Sequence, residues 1–96
     1  MSPLNKKKLN SLRSKLDKLD NQLLKLIKKR SNLVNEVLKV KIHKKEIIDQ
    51  KRINFILNKI KNKSIQLKID PKITNRIWKN MIWSFIDYEK RNFKKK

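Results

Sequence analysis

One stripe of apolar residues limits this chain more than anything else in it. Leu9, Leu12, Leu16, Leu19, Leu23, Leu26, Leu33, Val37 and Val40 recur at alternating three- and four-residue steps, with one step interrupted. An α-helix gathers that spacing onto a single face, while a strand would scatter it over both. Ser2 followed by Pro3 suits the start of the helix: the serine oxygen can accept from free first-turn amides, and proline tolerates the first helical position. A helix from about residue 3 to residue 41 is about 60 Å long at about 1.5 Å per residue. A globule of about 100 residues has a radius of gyration of about 13 Å. The helix therefore needs a second chain to cover it.

The rest of the sequence continues the helical pattern. Glycine is absent, which excludes glycine-rich phosphate loops and leaves few places for tight turns. After a polar break at 43–46, Ile47 and Ile48 lead into Asp49, an N-cap for a second helix carrying Ile53, Ile56, Leu57 and Ile60 and expected to end at 62–64. Asp70-Pro71 starts a third helix whose apolar face reads Ile73, Ile77, Trp78, Met81, Ile82, Phe85 and Ile86. Trp78, Trp83 and Tyr88 read as core aromatics, His43 as a loop residue, and 92–96 as a frayed, solvated tail. These expectations define an all-α single domain over 1–96, built from three helices of which one is very long.

Composition excludes several kinds of chemistry. There is no cysteine and only one histidine, so thiolate metal sites, histidine clusters and a conventional triad are ruled out, and no metal or cofactor is expected. No apolar run has the length of a membrane span or a signal core, so the expected location is the cytoplasm. The formal net charge of +20 attracts anions of every kind. The excess is mostly lysine spread along the chain beside Asn and Ile, a pattern that A+T-rich coding bias also produces. A basic helical nucleic-acid-binding or adaptor protein is one reading of that charge, but it gives no task to charges lying on the apolar faces.

Two such charges stand out. Arg30 occupies the interrupted step of the stripe between Leu26 and Leu33, and Glu89 falls one turn beyond Phe85 on the third helix. An unpaired buried charge costs several kcal/mol, so an inward arginine requires a negative partner. That partner is either an acid such as Glu36 or a bound carboxylate, which fits the guanidinium fork. Arg13 and Lys41 flank the stripe near its two ends; each alone reads as a solvated helix charge, but across an antiparallel dimer they can converge. Glu89 alone reads as a helix-end carboxylate beside a lysine.

The run from Leu12-Arg13 through Asp20 ahead of Leu23-Leu24, then Arg30, Glu36-Val37 and Lys41, resembles the all-helical chorismate mutase family without a gap. Asp49-Gln50-Lys51-Arg52 is similar to that family's entry to its second helix, and the likeness continues to Glu89. It implies an intertwined helical homodimer that converts chorismate to prephenate, on the route to phenylalanine and tyrosine, without a cofactor. It also implies two equivalent sites, each taking Arg13 from one chain and the remaining residues from the other. Arg13 and Arg30 would clamp the substrate carboxylates, and Lys41 and Glu89 would meet the ether oxygen. Asp49, Arg52, Ile53 and Phe85 would complete the substrate-binding set.

Three positions depart from the family. Glu89 stands where many members have Gln, so it can donate to the ether oxygen only when protonated, and activity is expected to fall as pH rises. Ile53 replaces a Glu that holds the ring hydroxyl. Phe85 replaces a small polar residue. The last two changes are similar to the isochorismate pyruvate-lyases that share this fold, which makes that activity the alternative. No dehydratase, dehydrogenase or phenylalanine-sensing domain follows, so a monofunctional enzyme insensitive to end product is expected.

Overall fold

The computed structural model describes residues 2–94. Among them the chain is all-α, with α1 at Pro3–Val40, α2 at Gln50–Gln66, α3 at Pro71–Asn92 and a 3₁₀ turn at Lys44–Ile47. The described residues divide into two compact units, one ending at Leu33 and the other starting at Val34.

The first unit is the long N-terminal run of α1. Ser2 caps it as expected: its Oγ accepts from the Asn5 amide at 3.2 Å and its carbonyl accepts from the Lys6 amide at 2.9 Å. No residue of α1 is buried. Leu12, Leu16, Leu19, Leu23 and Leu26 are each more than half exposed, so nothing in this unit covers the stripe that the sequence arranges so regularly.

The second unit holds the last turns of α1, the 3₁₀ turn, α2 and α3. Its core is Ile47, Ile53, Ile82 and Ile86, with Ile56, Leu57 and Phe93 packed against it. Phe93 is thus anchored, where a frayed tail was expected; Lys95 and Lys96 of that tail lie outside the described residues. Both expected caps are present: Asp49 Oδ1 accepts from the Arg52 amide at 3.0 Å, and Asp70 Oδ1 from the Lys72 amide at 2.9 Å. His43 is an exposed turn residue whose amide donates to Glu46 Oε1 at 3.1 Å.

Three further expectations need correction. The second helix continues to Gln66 instead of stopping at 62–64, because Ser64 faces inward and is satisfied there. Its Oγ donates to the Ile60 carbonyl at 2.6 Å and lies 2.7 Å from Thr74 Oγ1 on α3. The turn that follows places Lys68 at φ 58°, doing what glycine would do in a chain that has none. Next, Ile73 and Ile77 are more than half exposed, while Thr74, Ile82, Ile86 and Glu89 form the inward face. The hydroxyl pair pulls Thr74 inward, and that turns the neighbouring isoleucines out. Lastly, Trp83 is 48 % exposed and is not a core residue.

Candidate active site

Lys41 follows the last residue of α1, and its amide still donates to the Leu38 carbonyl at 3.3 Å. That anchor holds the start of its side chain. On α3, the inward face that buries Ile82 and Ile86 also carries Glu89, one turn on. The two meet: Lys41 Nζ donates to Glu89 Oε1 at 3.1 Å, with the side chains only 17 % and 7 % exposed.

A pair this dry gives little net stability, since taking both charges out of water cancels most of their attraction. It does hold an ammonium in one place and keep bulk water away from it. A lysine ammonium has three N–H donors. One goes to Glu89, and the others can meet an oxygen on a bound molecule in a medium where such a contact is strong.

The other candidates are placed as follows. Arg13 and Arg30 lie in the first unit, on α1, with Arg13 exposed and Arg30 partly buried. In the second unit Asp49 caps α2, and Arg52 is exposed with its guanidinium carbon 5.4 Å from the Phe55 ring centroid. Ile53 is 5 % exposed, packed with Ile47, Ile82 and Ile86. Phe85 is partly buried on α3. Sequence reasoning missed a second polar link in this unit, from Tyr88 Oη to Asn35 Oδ1 at 2.8 Å. No spacing rule identifies it, because a tyrosine at helical spacing reads as core. Among the described residues, no group of His, Cys, Asp or Glu could hold a metal, and no helix is long and apolar enough to cross a membrane.

The family model for chorismate mutase type II matches residues 12–90. The chain belongs to that family. The matched span begins one residue before Arg13 and ends one after Glu89, so every candidate position lies inside it. The chain matches no curated protein and no solved structure. The Lys41–Glu89 pair, at the end of α1 and on the inward face of α3, lies within the matched residues.

Proposed function

We propose that the protein is a chorismate mutase that rearranges chorismate to prephenate at two sites shared between two copies of the chain. The observation that carries this reading is the buried Lys41–Glu89 pair within a chain of this family. The rearrangement breaks the ether C–O bond as a C–C bond forms, with no nucleophile, cofactor or obligatory proton transfer. Catalysis then consists of holding a compact conformer and stabilising the charge that grows on the ether oxygen.

Arg13 of one copy and Arg30 of the other clamp the two carboxylates through charge-assisted, bidentate hydrogen bonds. Lys41 donates to the ether oxygen. Glu89 accepts from the Lys41 ammonium and holds it in place for that contact. Asp49, Arg52 and Phe85 border the substrate. Two copies are supported by the α1 stripe, whose leucines stay exposed in a single chain although their spacing is that of a buried seam. The reaction belongs to phenylalanine and tyrosine biosynthesis in the cytoplasm.

A specific observation favours the lyase as the second reading. Ile53 is committed to the core, so position 53 offers no carboxylate to a ring hydroxyl. Incubating the purified protein with chorismate and separately with isochorismate, across pH, distinguishes the two. The expected result is prephenate from chorismate, with turnover retained in Glu89→Gln, whose side-chain oxygen can still accept from Lys41 and whose amide can donate. Pyruvate from isochorismate alone would transfer the assignment to the lyase, and turnover of neither substrate would overturn both.

A further inference from the structure

Beside the Lys41–Glu89 pair, but on other faces of the same helices, the second unit has a cleft of about 450 Å³ lined by Asn35, Leu38, Lys39, Tyr88, Asn92 and Lys94. We propose that this cleft is an effector site for a small amphipathic monocarboxylate and that its occupancy is coupled to the Lys41–Glu89 pair. The regulatory half of the proposal rests on the mutase reading. The binding half does not.

The lining defines the ligand class. Lys39 and Lys94 supply positive charge at the rim, while Leu38 and the Tyr88 ring supply an apolar surface. Asn35 uses its carbonyl oxygen to accept from Tyr88 Oη, which leaves its amide N–H groups as donors. Asn92 donates to the Tyr88 carbonyl at 2.8 Å, which leaves its own side-chain oxygen as an acceptor. Other charges nearby are already engaged. Glu36 lies 3.5 Å from Lys39, with both side chains about 70 % exposed, a pair weak enough to yield the lysine to a ligand. Arg91 stands 6.0 Å from the Tyr88 ring centroid and is held by Asp87 at 2.9 Å. The surplus is positive and the floor apolar, so a carboxylate carried on a ring or short hydrocarbon fits where a polyanion would waste the floor.

Position explains the coupling. The cleft lies where the last turns of α1 meet the end of α3, the two segments that deliver Lys41 and Glu89. Tyr88 immediately precedes Glu89, and Leu38 accepts the Lys41 amide. A molecule wedged against Tyr88 and Leu38 therefore shifts both halves of the pair. The cleft lies off the stripe, because at about 100° per residue Asn35 and Leu38 point away from Val37 and Val40.

The test is a ¹⁵N amide titration of the purified protein with benzoate, with benzamide as the uncharged control. Benzoate is expected to shift Asn35, Leu38, Lys39, Tyr88 and Asn92, and to shift Lys41 and Glu89 along the same saturation curve. Benzamide, and benzoate with the Lys39→Gln/Lys94→Gln variant, should bind about fivefold to tenfold more weakly, as expected for loss of a charge-assisted contact. Both lysines are exposed, so the fold survives their replacement. Shifts confined to Arg13, Arg30 and Lys41 would place benzoate in the substrate site and overturn the proposal, as would diffuse shifts at lysines throughout the chain or equal binding of benzamide. Cleft shifts without movement of Lys41 and Glu89 would overturn the coupling. Because no turnover is measured, the result stands whether or not chorismate proves to be the substrate.

Discussion

Replacing Lys41 with alanine is expected to lower kcat/KM for chorismate by about 10²–10³-fold, the usual loss when a preorganised donor to developing oxygen charge is removed. The loss should fall mainly on kcat, because the ether oxygen gains its charge in the transition state and the carboxylate clamps still hold the ground state. The same substitution leaves Glu89, with a side chain 7 % exposed, without its ammonium. Stranding one partner of a buried pair costs about 3–5 kcal/mol, so Lys41→Ala should also melt earlier. The two effects separate in the double variant Lys41→Ala/Glu89→Leu. Removing both charges recovers part of that stability, because no buried charge is left unpaired although alanine does not fill the volume of the lysine, while turnover stays lost. Thermal unfolding and steady-state kinetics on the three proteins check this. If Lys41→Ala, kept at a temperature where it is folded, works within threefold of wild type, then the lysine has no part in the chemistry.

Leu23→Lys is expected to disrupt the association of two copies. Leu23 lies mid-stripe on α1, between Leu19 and Leu26, and all three are more than half exposed in a single chain. If the stripe is the seam between copies, a lysine there puts a charge into the seam twice, once from each chain, because a two-fold interface repeats every substitution. A penalty of about 3–5 kcal/mol corresponds to a dissociation constant raised by more than about a hundredfold. Sedimentation velocity should give twice the chain mass for wild type and the single-chain mass for Leu23→Lys, with loss of helical signal because α1 buries nothing of its own. A wild-type protein that sediments as a single chain, or a Leu23→Lys variant still at twice that mass, would remove the seam from the account.

The helices were largely legible because local chemistry decides them. The α1 stripe has one period from end to end, and Ser2, Asp49 and Asp70-Pro71 act as caps through contacts with residues only two to four positions away. What was not legible depended on partners distant in sequence. The end of α2 and the rotation of α3 both follow from the Ser64–Thr74 hydroxyl contact, which lets two polar side chains occupy core positions and turns Ile73 and Ile77 outward. The absence of glycine hid the turn at Lys68, since a lysine in the left-handed region carries no sequence signal.

The candidate site divides along the same line. Glu89 was visible as an acid where an apolar residue was due, and Arg30 as a cation on the stripe. The resemblance set Lys41 and Glu89 at one ether oxygen; that they pair directly, 48 residues apart, required the fold. So did the placement of Ile53 in the core, since a helical period shows that a residue faces inward without showing what it meets there.

Complementation between two inactive chains tests directly whether each site is shared between two copies. Arg13→Ala and Lys41→Ala/Glu89→Leu are each expected to be inactive alone on chorismate. Unfolded together at equal concentration and refolded, they form mixed pairs as about half of all dimers, and each mixed pair contains one site with every native residue and one with none of the three. Prephenate formation should return to about a quarter of the wild-type rate. A mixture as inactive as its parents, beside an active wild type, would contradict sites built from Arg13 of one chain and Lys41 of the other.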